Sequence, residues 1–150
     1  MMYINHAIDD INMDDLHFCK PNINKISHYT YFYKIAYNIN TLTLNSLLIE
    51  VSIKDINIIK ENNIYKINII TDDTFLNKLK IIETNLLNKL NNVVHKQKSL
   101  LYNKFSKNTY IYNYYPENIK MFIRISGIWE SDTHIGVTSK IYIYPSTLKF

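Results

Sequence analysis

A single stretch of helical periodicity lies between two blocks of β-like sequence, and this order constrains the fold most. Between Phe75 and Ser99 apolar residues recur every three or four positions, while most lysines fall on the other face. Thr71-Asp72-Asp73-Thr74 precede this stretch and offer N-cap side chains and negative charge for the positive helix end. We therefore predict an amphipathic helix of about 25 residues, longer than the usual length of about 11–12.

Alternation of apolar and polar residues predicts strands on both sides of the helix. Glu61-Asn62-Asn63 and Ser131–His134 have the composition of hairpin turns, and Asn38-Ile39-Asn40 is a third predicted turn. Strands, one helix and strands again indicate an α+β domain or a β-barrel with an inserted helix. The predicted strands are 28–37, 42–53, 56–59, 64–70, Met121–Glu130 and Gly136–Tyr144.

The last two predicted strands each have one apolar and one mixed face. Ile125 and Trp129 fall on the apolar face of the first strand, so the indole is expected in the core, with base stacking as the alternative. Ile128 falls on the mixed face with Arg124, and Lys140 lies on the mixed face of the second strand. Arg124 and Lys140 are therefore the preferred candidates for phosphate contacts.

Length and composition suit one domain, 1–150, with a basic C-terminal third. The chain has 150 residues, 47% of them hydrophobic, and a net charge of +4. Residues 1–15 are acidic and are expected to form a flexible acidic arm. The many Lys, Asn, Ile and Tyr codons are AT-rich, so the abundance of Lys and Tyr alone carries no functional argument.

Several protein classes do not fit this sequence. Cys19 is the only cysteine, so no internal disulfide can form and a reducing, intracellular compartment is expected. No run of about 18 apolar residues predicts a transmembrane helix, and we expect no membrane partner. His17 and Cys19 lack a second pair of zinc ligands, and two glycines cannot build a phosphate-binding loop. We predict no enzyme activity, no catalytic residue, no metal and no cofactor.

Non-covalent binding of nucleic acid fits the remaining residues better. Single strands are bound by Lys and Arg along a groove and by aromatic rings, each stacked base contributing roughly 1–3 kcal/mol. Tyrosine is also a good β-former, so some of these rings are expected only to cover the core. The candidate DNA-binding residues are Lys20, Tyr31, Tyr33, Lys34, Tyr37, Arg124, Trp129, Lys140 and Tyr142.

Four motifs occur in an order found in one family. Leu16-His-Phe-Cys-Lys-Pro-Asn22 resembles the pattern I-x-F-x-K-P, and Tyr110–Lys120 resembles Y-x-P-x-I-K. Ile125-Ser-Gly-Ile-Trp-Glu130 and Ile135-Gly-Val-Thr-Ser-Lys140 fit a closing hairpin, G-I-W-E…G-x-T-x-K. Over residues 16–144 the chain resembles the single-stranded-DNA-binding proteins of nucleocytoplasmic large DNA viruses.

That resemblance implies an OB-like antiparallel β-barrel that binds single-stranded DNA without sequence preference. It also implies a role in viral DNA replication, recombination or repair, in the host cytoplasm or nucleus. Other replication proteins and further copies of the chain are candidate partners. The alternative function is a structural or protein-interaction module that uses the long helix or a strand edge, and a small nucleic-acid enzyme is a third.

Overall fold

The computed structural model of the protein describes residues 4–24, 30–90, 97–99, 101–106 and 109–144. Within these ranges the chain forms strands, one α-helix, α1 (Asp73–Lys89), and three short 3-10 segments, Ile8–Asp10, Met13–Asp15 and Leu101–Ser106. The strands are β1 (Asn5–His6), β2 (Leu16–Phe18), β3 (Asn22–Asn24), β4 (Thr30–Ile39), β5 (Leu42–Leu44), β6 (Leu47–Glu50), β7 (Ile53–Glu61), β8 (Ile64–Thr71), β9 (Gln97–Ser99), β10 (Thr109–Tyr112), β11 (Lys120–Glu130) and β12 (His134–Tyr144).

The strands form a nine-stranded sheet and a three-stranded sheet. In the large sheet β11 pairs with β12 along one edge, and with β6 and then β4 along the other. The long strand β4 also pairs with β2, β3 and β5. The small sheet has the order β10-β8-β7. The α+β class predicted from the element order is confirmed, and the strands of the described ranges do not close into a barrel.

The small sheet contains the predicted hairpin. β7 and β8 are joined by Asn62 and Asn63, whose φ angles of 49° and 63° are in the left-handed region. Asparagine tolerates this region better than most residues, and two such residues match the twist of a tight hairpin. The earlier prediction of a continuous strand over 42–53 is wrong, because bends at Asn45–Ser46 and a break at Val51–Ser52 separate β5, β6 and β7.

Helix α1 begins where the sequence predicts but ends earlier. The Asp72 carboxylate caps it by accepting a hydrogen bond from the Thr74 N–H at 3.0 Å. Leu90 turns to an extended backbone (φ −86°, ψ 116°). Residues 97–99, predicted as helix, form β9 and pair in parallel with β12, while 91–96 lie outside the described residues. No helix in the described part of the chain is long and apolar enough to span a membrane.

One buried cluster joins the two sheets to the helix. Ile35 and Ile123 come from the large sheet, Ile67 from the small sheet, Leu79 from α1 and Leu101 from the last 3-10 segment, all nearly or fully buried. The face of the large sheet that points into this cluster is called the inner face below, and the opposite one the outer face.

A β-bulge in β11 corrects the predicted face of two side chains. The register with β12 shifts between Ile125 and Gly127, so Ser126 is the extra residue. Because side chains alternate between faces, one extra residue reverses the assignment of every later residue in the strand. Ile128, predicted on the mixed face, is fully buried. Trp129, predicted beside Ile125, lies instead on the outer face opposite Gly136.

Candidate nucleic-acid interface

The strand register brings five rows of side chains together on the outer face. Directly opposed residues in a ladder point to the same side of a sheet, so each row can be followed across the strands. From one end of β11 to the other, the rows are Asn22/Phe32/Trp129/Gly136, Lys34/Gly127/Thr138, Asn5/Leu48/Arg124/Lys140, Glu50/Phe122/Tyr142 and Lys120/Tyr144.

These rows carry an excess of positive charge. Four of their residues are cations and one is a carboxylate, Glu50, so this single face holds most of the chain's net charge of +4. A concentration of one sign on one face attracts a polyanion and raises its association rate. The cations of the outer face are Lys34, Lys120, Arg124 and Lys140.

A groove lies on this face at the end where β6, β11 and β12 are adjacent. It has a volume of about 370 Å³. The rings of Tyr142 and Tyr144 are parallel to within 7°, with centroids 6.3 Å apart, and Phe122 meets Tyr144 edge-on at 5.7 Å. Such flat apolar walls can hold a nucleobase by stacking. The groove is lined by Asn5, Leu48, Phe122, Arg124, Tyr142 and Tyr144.

Two cations are positioned by neighbours on the same face. The ammonium group of Lys140 lies 5.2 Å from the centre of the Tyr142 ring, within cation–π distance. The Arg124 guanidinium donates from Nε to the hydroxyl of Ser46 at 3.0 Å. These contacts hold both positive groups beside the aromatic groove.

At the other end of the face two aromatic rings lie over the only glycines of the chain. A Cβ at Gly136 would be 2.8 Å from the indole of Trp129, and a Cβ at Gly127 would be 2.7 Å from the ring of Phe32. Phe32 and Trp129 are directly opposed in the ladder between β4 and β11. Each glycine therefore lets a large ring lie close to the sheet, and both rings stay partly exposed.

Three predicted tyrosines lie on the inner side of the sheet. Tyr37 is 3% exposed, and its hydroxyl accepts a hydrogen bond from the Asn12 N–H at 3.0 Å. The Tyr33 hydroxyl donates to the Glu130 carboxylate at 3.3 Å, and burial together with that charge raises the pKa of Tyr33. Tyr31 is opposed to Glu130. The structure does not bring these rings to the outer face.

The remaining predicted residues are divided between the outer face and its surroundings. Lys34, Arg124, Trp129, Lys140 and Tyr142 all lie on the outer face. Lys20 is exposed just after β2, next to Cys19, whose N–H donates to the carbonyl of Lys34 at 2.8 Å.

Sequence reasoning missed several residues of this face. Phe122 alternates with Arg124 and Lys120 along β11, and this spacing of two was the available signal. Phe32 carried the same signal, because it lies two residues before Lys34 in β4. Asn5 carried none, because it reaches the face only through the pairing of β1 with β6.

The acidic N-terminal segment packs near the helix rather than across the outer face. The Asp9 carboxylate pairs with the ammonium of Lys78 on α1 at 2.7 Å. Ile8, Ile11 and Met13 pack against the buried cluster. Among the described residues of this segment, 4–15, only Asn5 lines the groove, through β1.

His134 and Glu130, two ionisable residues at the β11–β12 turn, have local partners. The His134 ring Nδ1 is 2.7 Å from the Thr133 hydroxyl, while the Glu130 carboxylate accepts from Tyr33. No group of three or more His, Cys, Asp or Glu side chains that could hold a metal ion occurs in the described ranges.

Comparisons of the chain with protein-family models, curated proteins and solved structures find no match.

Proposed function

We propose that the protein binds single-stranded DNA on the outer face of its large sheet, without sequence preference. The observation that supports this most is the composition of one continuous face, which combines four cations with two groups of partly exposed aromatic rings. Phosphates attract cations irrespective of sequence, and every base has a flat face that can stack.

The motifs that resemble viral single-stranded-DNA-binding proteins support the same proposal. Their closing hairpin supplies both glycines, Trp129 and Lys140 to the outer face. We extend the proposal to an OB-like arrangement, since β4 and β11 are long and each pair with two strands along one edge. The biological role that follows is protection or handling of single strands in viral DNA replication, recombination or repair.

Fluorescence anisotropy with a labelled oligo-dT of about 30 nucleotides tests the proposal, at low and physiological salt and with duplex competitor. We expect binding that survives the duplex and weakens as salt rises. Replacing Arg124 and Lys140 together by Ala should lower the affinity at least tenfold and reduce the log–log salt slope by about 1.4, at roughly 0.7 per phosphate contact.

The matched control removes two exposed lysines of the small sheet, Lys54→Ala and Lys60→Ala. This double variant changes the net charge by the same amount as the replacement of Arg124 and Lys140, and it should leave the affinity for oligo-dT within about twofold of the wild-type value. Equal losses in both double variants, or no binding at low salt, would contradict the proposal. If the protein does not bind DNA but self-associates in a way that salt does not weaken, the alternative of a protein-interaction module is favoured. The exposed Ile59 (62%) and Ile111 (65%) on the small sheet are the apolar side chains that support this alternative.

A further inference from the structure

Aromatic rings on the outer face occur in two separate groups. The first, called the tryptophan station, consists of Phe32 and Trp129 over their glycines. The second, called the tyrosine station, consists of Phe122, Tyr142 and Tyr144 in the groove. Both stations lie along the same strand, β11, at its two ends.

The distance between the stations follows from the strand. Phe122 and Trp129 are seven residues apart in β11, and the bulge at Ser126 takes up one of them. At about 3.3 Å per residue, the separation is roughly 20 Å. Neither station can therefore reach a base that is stacked on the other.

The two rows between the stations carry cations and no aromatic ring. They contain Lys34 with Gly127, and Arg124 with Lys140. A single strand that joined the two stations would pass its phosphates over these three positive side chains. The order along β11 is thus aromatic, cationic, aromatic.

We infer that the face is a two-point site whose smallest full ligand is a single strand of about four to five nucleotides, lying along β11. An extended strand advances roughly twice the 3.4 Å rise of stacked DNA, so about three steps cover roughly 20 Å. One base stacks at each station, and the phosphates between them contact Lys34, Arg124 and Lys140. This inference rests on the proposed function and adds the length of the bound single strand and its direction on the sheet.

A two-point site has a characteristic dependence on length. Once one base is stacked, the second stacks with the high effective concentration of a tethered group, provided that the linker spans the gap. Affinity should therefore rise at least tenfold between oligo-dT of about three and about five nucleotides, and only severalfold from there to about twelve.

Competition anisotropy with unlabelled oligo-dT of about two to twelve nucleotides measures this dependence. Tyr144→Leu and Trp129→Leu each remove a ring from one station, and each should abolish the step between three and five nucleotides while leaving the affinity for the shortest oligomers within about threefold. Tyr115→Leu is the control, since this tyrosine is 55% exposed and is not in the rows of the outer face. The Tyr115→Leu variant should keep the rise in affinity between oligomers of about three and about five nucleotides.

Trp129 is the only tryptophan, so its fluorescence provides a second measurement without substitution. Quenching by an oligomer of about five nucleotides should persist in Tyr144→Leu at saturation, because the two stations are separate. This measurement stands even if Trp129→Leu fails to fold.

An affinity that rises evenly with length, or a step retained in both station variants, would overturn the two-point site while the proposed function stood. A lack of binding by every oligomer, including the one of about 30 nucleotides, would instead defeat the proposed function itself.

Discussion

Glu83 is a buried carboxylate in the middle of α1, and it connects the helix to the segment after β9. Its side chain is 2% exposed, and Oε2 accepts a hydrogen bond from the Leu101 N–H at 2.7 Å. Burial raises the pKa of Glu83, while this hydrogen bond and the charges of Lys98 and Lys80 lower it by less. The folded protein therefore binds the Glu83 proton more tightly than the unfolded chain does.

This raised pKa predicts the sign of a pH effect on stability. Burial of the ionised carboxylate lowers the free energy of unfolding, and this loss is complete at neutral pH. The loss becomes smaller as the pH falls through the raised pKa toward the ordinary glutamate value, because the carboxylate is then protonated in the fold. Glu83→Gln keeps an acceptor for Leu101 but does not titrate. We expect the free energy of unfolding of the wild type to increase relative to that of Glu83→Gln between about pH 7 and about pH 5.

Urea unfolding of both proteins at the two pH values measures this difference, and effects of other groups cancel because they are shared. Glu83→Asp is a useful comparison, since it keeps the charge and shortens the side chain. If the wild type loses stability relative to Glu83→Gln as pH falls, the ionised carboxylate stabilises the fold, contrary to this account.

Strand pairing depends on the two glycines to different degrees. A Cβ at Gly127 would overlap the backbone carbonyl oxygen of Tyr33 in β4, so β4 and β11 would have to separate. The three atoms nearest to a Cβ at Gly136 all belong to the indole of Trp129, a side chain that can turn. We expect Gly127→Ala to cost about 2–4 kcal/mol of unfolding free energy and Gly136→Ala about 1 kcal/mol.

Urea unfolding followed by circular dichroism measures both costs, and tryptophan emission provides a separate reading. Gly136→Ala should shift the emission of folded Trp129 because its indole is displaced. A larger loss of stability in Gly136→Ala than in Gly127→Ala would show that the contact between β4 and β11 is not as close as the structure indicates.

The order of strands, one helix and strands again could be predicted from the sequence, but several details could not. The hairpin at Asn62-Asn63 and the start of α1 at Asp72 have local chemical signals, and both were predicted. The bulge at Ser126 has no such signal, and because alternation has a period of two, this one residue reversed Ile128 and Trp129. The helix end at Leu90 has no glycine or proline, and residues 97–99 pair instead with the available edge of β12.

At the scale of the whole molecule, the candidate site is assembled from parts of the chain that are far apart. Arg124, Lys140 and Tyr142 could be grouped from the sequence because they alternate within one hairpin. Lys34 joins them only because β4 pairs with β11 and places it opposite Gly127. Local patterns do not encode such long-range pairing, so the face as a unit could be identified only in the structure.

For the proposed binding of single-stranded DNA, we expect the location of a charge on this face to be more important than the net charge of the molecule. Glu50 is exposed on the outer face, opposed to Phe122, and is the one carboxylate in the five rows. If the face binds DNA as proposed, this carboxylate repels phosphates near the tyrosine station. We therefore expect Glu50→Gln to tighten the binding of oligo-dT about threefold at low salt, chiefly through a faster association rate.

Glu61→Gln is the matched control, because it makes the same change in net charge at the hairpin of the small sheet, where Glu61 pairs with Lys66 in an exposed ion pair. Stopped-flow association at several salt concentrations compares the two variants with the wild type. The gain in Glu50→Gln should shrink as salt screens the field, and Glu61→Gln should have no gain. An equal gain of affinity in both variants would mean that the net charge of the molecule attracts the single strand, and it would contradict a specific role of the outer face.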